Sequence, residues 1–107
     1  MIDLDPGYLE LIKHILAEHV PDCEARAFGS RVTGTSEPYS DLDIALIGGA
    51  ILDWREIEAL RDAFSESDLP IMVDVVDWNA ASESFREIID KQCEIIHKPS
   101  PHPSTSR

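Results

Sequence analysis

The heptapeptide Asp41-Leu42-Asp43-Ile44-Ala45-Leu46-Ile47 constrains this chain more than any other stretch. Its residues alternate and are rich in β-formers, so it reads as a strand. On a strand, side chains two apart share a face. Leu42, Ile44 and Leu46 therefore point into a core, and Asp41 and Asp43 point the other way together. Two carboxylates roughly 4 Å apart repel by about 4 kcal/mol at an effective dielectric of about 20. A bound divalent cation relieves that cost, and a ligand set made only of oxygen suits Mg²⁺ or Mn²⁺. The plainer alternative is a solvated strand end.

Helical and strand periodicities alternate around this segment. Asp5 can cap a first helix and Pro6 suits its first turn. Tyr8, Leu11, Ile12, Ile15 and Leu16 supply the buried stripe, and Pro21 stops the helix near Val20. Cys23 to Phe28 reads as a strand ending at Gly29-Ser30. A loop or short helical turn spans Arg31 to Tyr39, with Gly34 and Pro38 as breakers. Gly48-Gly49 ends the Asp41–Ile47 strand. A second helix starts at Asp53, which forms a capping-box-like pair with Glu56; Trp54, Ile57, Leu60 and Phe64 make its stripe. Ile71 to Val76 is a nearly continuous apolar run and reads as a buried strand. A third helix over roughly Ala81 to Gln92 buries Phe85, Ile88 and Ile89, and Glu94 to His97 closes the domain. This order implies an α/β or α+β domain: a small mixed sheet of about four strands with about three to four helices. No internal repeat is visible. Residues 1–98 form one folded domain, and the Pro/Ser-rich residues 99–107 read as a disordered tail.

Composition narrows the function. Of 107 residues, 21 are acidic and 9 basic, a net charge of −12. Only Lys13, Lys91 and Lys98 are lysines. A polyanion gripped by clustered basic side chains is excluded, and an anionic membrane surface is disfavoured. No apolar run approaches the ~20 residues of a membrane span, and Met1 to Asp5 is acidic, unlike a signal peptide. Two cysteines, Cys23 and Cys93, make neither a disulfide framework nor a zinc set and read as small core residues. A reduced, cytoplasmic protein is the expectation.

Two further features complete a chemistry. Asp74 interrupts Ile71-Met72-Val73-Asp74-Val75-Val76, and an ionised aspartate in an apolar strand is costly unless paired, hydrogen-bonded by backbone N–H groups, or bound to metal. If its strand lies beside the Asp41–Asp43 strand, three carboxylates converge as in a two-metal site for phosphoryl chemistry. Gly29-Ser30 precedes Asp41 by ten residues. Glycine admits close backbone approach, and the Ser30 hydroxyl with the following N–H groups can donate to phosphate oxygens. Arg31 either adds charge there or forms a surface ion pair. No Gly-Lys-Ser/Thr follows, so this is not a Walker A loop.

The pattern Gly29-Ser30-Arg31-Val32-Thr33-Gly34, then Ser40-Asp41-Leu42-Asp43-Ile44-Ala45, then Val73-Asp74-Val75-Val76-Asp77 resembles the polymerase-beta-like nucleotidyltransferase superfamily. Within it, the minimal nucleotidyltransferases, antitoxin partners of HEPN ribonuclease toxins, are most similar. The resemblance covers about residues 7–98, and no motif position departs from it. It implies that Asp41 and Asp43 bind two Mg²⁺ ions and the triphosphate. Asp74 would complete the second metal site and help deprotonate the acceptor. Gly29 and Ser30 would hold the β- and γ-phosphates. The implied reaction moves AMP from ATP onto a hydroxyl, a tyrosine of the HEPN toxin in these systems, in a hetero-oligomer with that partner.

The resemblance leaves two alternatives: an antitoxin that masks its toxin stoichiometrically, or an adenylyltransferase acting on a small molecule such as an antibiotic. The absence of a second domain in this sequence speaks against the latter. Of the other polar residues, Asp77 falls on the strand face opposite Asp74 and suits a turn or helix cap. Ser30 has no histidine placed to make it a nucleophile. His14, His19, His97 and His102 lack metal-ligand spacing. Trp54 and Trp78 either pack or meet a partner, and Tyr39 either stacks on a base or packs over the loop.

Overall fold

A computed structural model describes residues 4–34, 41–49 and 51–99. Helix α1 (Pro6–His19) starts as its sequence dictates: the Asp5 carboxylate accepts the Gly7 N–H at 2.8 Å, and Pro6 sits in the first turn. It ends at Val20, one residue before Pro21. Strand β1 (Glu24–Phe28) runs into a single helical turn, α2 (Ser30–Thr33). Strand β2 (Leu42–Ile47) leads to helix α3 (Trp54–Ser65), whose cap Asp53 accepts the Arg55 N–H. Strand β3 (Val73–Asp77), a 3₁₀ turn (Trp78–Ala80), helix α4 (Glu83–Lys91) and strand β4 (Cys93–His97) complete the described chain.

The sheet is mixed, in the order β3-β2-β1-β4. β1 is antiparallel to both β2 and β4, whereas β2 and β3 are parallel. Parallel neighbours need a crossover connection, and α3 provides it. Helices α1 and α3 cover one face. There Ile12, Leu16, Leu60 and Phe64 meet Ala25, Ala27, Leu42, Ile44, Leu46 and Val75 in the main core. Helix α4 covers part of the other face with a thin cluster of Phe28, Ala45 and Ile89. Phe28 and Phe85 meet edge-to-face with centroids 5.7 Å apart.

The element order follows the periodicity, but several burial expectations fail. Trp54 is 68% exposed, Ile88 61% and Met72 72%, and Tyr8 is also exposed. Tyr8 and Trp54 lie in the first turns of their helices, where the buried stripe has not yet reached the sheet. Ile88 falls beside the Phe85–Ile89 stripe, the one line of α4 that the thin cluster needs. Ile71–Val76 is not buried on both faces. β3 ends the sheet order, and only Val73, Val75 and Asp77 turn inward along it. The expectations for residues 35–40, including Tyr39, and for the tail from residue 100 onward, including His102, fall outside the described residues. Cys23 is buried and Cys93 half-buried, both free. His97 Nδ1 lies 2.9 Å from the Cys23 carbonyl, while exposed His14 pairs with Glu18. Among the described residues no helix is long and apolar enough to cross a membrane.

Asp77 takes the capping role expected of it. One carboxylate oxygen accepts the Asn79 N–H at 3.0 Å and the other accepts the Leu52 N–H at 2.7 Å. It is 8% exposed and ties the approach to α3 to the end of β3. Asp77→Ala strips both acceptors and is expected to cost about 2 kcal/mol, whereas exposed Asp74→Ala changes stability by less than about 1 kcal/mol. Urea unfolding of the two variants checks this; equal midpoints would refute the structural role of Asp77.

Candidate active site

The candidate residues gather where β1 stops and β2 and β3 begin. Residue-to-residue register explains why. Phe28 pairs with Asp43 across the antiparallel β1–β2 ladder, so Gly29 follows directly beside Asp43. Asp43 pairs with Asp74 across the parallel β2–β3 ladder. Partners in a ladder project to the same face. Asp43 and Asp74 thus share the face that α4 covers thinly, which leaves Asp43 half-buried and Asp74 exposed. Exposed Asp41 stands just before β2. The adjacency inferred for the Asp74 strand is therefore present. The burial inferred for Asp74 itself is not, because its face of the sheet is only thinly covered.

Gly29 is required twice over. Its φ of +86° lies in the left-handed region that favours glycine. A Cβ built there would also collide with Oδ2 of Asp43. The bare glycine lets the Asp43 carboxylate stand against the backbone at the β1–α2 junction. Ser30 opens α2, and the Val32 N–H closes the turn on the Gly29 carbonyl at 3.0 Å. Arg31 is 6% exposed, so it lies inside the domain rather than on its surface.

Burial pushes the Asp43 carboxyl above the usual carboxylate range, and the charges of Asp74 and then Asp41 push it further. The three carboxylates are thus electrostatically coupled and unfavourable together. Among the described residues, no three of His, Cys, Asp or Glu are drawn close enough to hold one ion. In kind, the donors fit a hard divalent cation. They are all carboxylate oxygens at one strand end, and their mutual repulsion is what a cation offsets. Asp41 and Asp74 both line a cavity of about 630 Å³ between the end of α3 and the start of β3.

Sequence reasoning missed one residue here. Arg61 of α3 places Nη2 3.8 Å from Oδ1 of Asp74. The two positions are joined only through the crossover, and a helical arginine on an exposed face carries no sequence signal of such a contact.

Two outcomes follow from this geometry. Gly29→Ala is expected to cost about 1–2 kcal/mol from its backbone alone, and more through Asp43. In a double-mutant cycle the penalty is smaller in an Asp43→Ala background; strict additivity would refute the clash. Because the folded protein raises the Asp43 pKa, it holds that proton more tightly than the unfolded chain does. The stability this contributes is present at low pH and lost as pH rises through the raised value. With a chelator present, Asp43→Asn should therefore be more stable than wild type at neutral pH. The gap should close as pH falls below the ordinary carboxylate range, and a gap that widens on acidification would contradict the assignment.

Known proteins are similar to this chain. Residues 10–102 match the family "Polymerase beta, Nucleotidyltransferase". The chain is 47% identical over 97 residues to the probable protein adenylyltransferase MntA of Haemophilus influenzae, covering 91% of this chain and 85% of that one. It is similar to a chain in the crystal structure of a toxin–antitoxin complex with AMP-PNP. There the TM-score is 0.66 at 26% identity, over 86% of this chain and 74% of the other. A mutant MntA–HpeT toxin–antitoxin structure gives a TM-score of 0.73 at 25% identity with the same coverage. Matched over most of its length, the chain belongs to the polymerase beta nucleotidyltransferase family.

Proposed function

We propose that this nucleotidyltransferase moves AMP from ATP onto a hydroxyl, a tyrosine in the first instance, of a HEPN-type toxin and so acts as its antitoxin. The observation that carries the reading is the Asp43–Asp74 register on parallel strands, with Asp41 two residues before and bare Gly29 beside it. Its occurrence in a chain 47% identical to a protein adenylyltransferase MntA supports the choice of a protein acceptor.

Each residue then has a task. Asp41 and Asp43 would hold two Mg²⁺ or Mn²⁺ ions, and Asp74 would share the second. Bound ions supply the positive charge that neutralises the triphosphate and stabilises both the attacking and the leaving oxygen. Gly29 and Ser30 present backbone N–H groups to the β- and γ-phosphates, and buried Arg31 adds fixed positive charge nearby. The acceptor oxygen attacks the α-phosphorus, its proton passes to the Asp74 carboxylate, and the bond to the β-phosphate breaks to release pyrophosphate. The setting is the cytoplasm, where ATP and Mg²⁺ are both at hand.

The acidic surface does not oppose this. With a net charge of −12 the protein repels a bare nucleotide, but two Mg²⁺ ions convert three of those charges into the means of holding one.

Incubation of the protein with labelled ATP, Mg²⁺ and its cognate HEPN protein should label the partner on tyrosine. Asp41→Asn and Asp43→Asn should each lower the rate at least a hundredfold. Absence of transfer by wild type, or equal transfer by Asp41→Asn, refutes the reading. Toxin neutralisation that survives fully in the Asp41→Asn, Asp43→Asn double variant would assign the antitoxin effect to stoichiometric masking. Antibiotic resistance conferred by the single gene would assign a small-molecule acceptor.

A further inference from the structure

Arg61 stands in the wall between two cavities. On one side is the cavity of about 630 Å³ that holds Asp41 and Asp74; on the other is a more apolar one of about 590 Å³ lined by Trp54, Ile57, Val75 and Phe85. Its guanidinium is anchored on the side of the more apolar cavity, by two residues that line it. Nη1 donates to Glu58 Oε2 at 3.0 Å, within the same helix, and Nη2 donates to the Val75 carbonyl at 2.8 Å. Nη2 also lies 3.8 Å from Oδ1 of Asp74, the residue preceding that carbonyl.

The direction of the restraint follows from these anchors. Arg61 is fixed to the main chain of β3 and to Glu58, so Asp74 leans on a cation that is already in place. The Arg61 and Asp74 side chains are 44% and 57% exposed. A pair so exposed contributes little to stability. Its effect is on orientation, because an aspartate at an exposed edge-strand position otherwise samples several rotamers. The pair uses one carboxylate oxygen of Asp74 and leaves the chemistry to the other.

We propose that Arg61 is a positioning residue for Asp74: held by the Val75 carbonyl, it confines the carboxylate to the orientation from which it shares a divalent cation with Asp43. This rests on the function proposed above and adds to it a residue outside the sequence motif. Outer-sphere partners that orient a metal-binding side chain are worth about 10–100-fold in metal affinity. Among the described contacts Arg61 reaches neither Asp41 nor the Gly29–Ser30 turn, so its effect runs through Asp74.

The experiment is a Mn²⁺ titration followed by electron paramagnetic resonance, with AMP-PNP present, on wild type, Arg61→Ala, Arg61→Lys and Asp74→Asn. AMP transfer to the partner is measured alongside. Arg61→Ala should bind Mn²⁺ about tenfold more weakly at the Asp74-dependent position. AMP transfer at a fixed, sub-saturating Mn²⁺ concentration should fall by a similar factor. Arg61→Lys, which keeps the charge but not the simultaneous hold on Val75 and Asp74, should recover part of both. The sign is decisive: removing a nearby positive charge by itself strengthens cation binding. Affinity in Arg61→Ala equal to or above wild type therefore overturns the proposal, as does a fall in affinity that tracks loss of thermal stability across the variants. A wild type that transfers AMP and whose Mn²⁺ binding falls in Asp74→Asn keeps the parent reading intact whatever Arg61 does. Mn²⁺ binding indifferent to Asp74→Asn overturns the role of Asp74 and that of Arg61 with it.

Discussion

The parallel pairing of β2 with β3 is the constraint on which the acidic end depends. In that register Asp43 and Asp74 become neighbours on one face, although the entire α3 crossover separates them along the chain. A one-residue slip would send the partner of Asp43 to the opposite face and bury Asp74 in the main core. The apolar residues on the other face prevent the slip. Leu42, Ile44, Leu46 and Val75 are all fully buried against α1 and α3. The hydrophobic core thus sets the spacing of the carboxylates, and no attraction between the carboxylates themselves is needed.

That arrangement carries a built-in conflict. Three negative charges stand at one strand end, and burial with the charges of Asp74 and Asp41 raises the Asp43 pKa. The fold tolerates this because the face is thinly covered. Among the described residues α4 and Trp78 pack there, through a small cluster. A thicker layer would improve stability and close access to Asp43 together. The thin cover is reinforced at its far end, where Arg86 donates to the Trp78 and Asn79 carbonyls at 2.9 Å each, and Arg26 and Arg86 stack over the Trp78 ring.

Local signals made the element order and much of the candidate site legible. Asp5 with Pro6, Pro21, Gly29 and Asp53 mark their boundaries through backbone chemistry that acts within a few residues. Asp41 and Asp43 follow from strand periodicity, and Asp77 could be separated from Asp74 by face alone. What could not be read depends on which neighbour an element meets. The exposure of Trp54 and Ile88 reflects how much of each helix the sheet covers. The exposure of Asp74 follows from how little of its sheet face is covered. The burial of Arg31 depends on how the single turn α2 sits on β1. None of these has a period in the chain. Arg61 is the extreme case, since its contact with Asp74 exists only after the crossover has closed.

The two aspartates of β3 show how one strand divides stability from chemistry. Asp77 faces inward, and both of its carboxylate oxygens accept backbone N–H groups, which compensates its burial locally. Among the described residues Asp74, three residues earlier on the other face, has a loose pair with Arg61. A fully bonded carboxylate has little capacity left to take a proton or a cation; a loosely held one retains it. The strand therefore places its committed acid where the domain must be tied together, and its uncommitted acid beside Asp43. The alternation of side chains along a single strand is sufficient to keep the two roles apart.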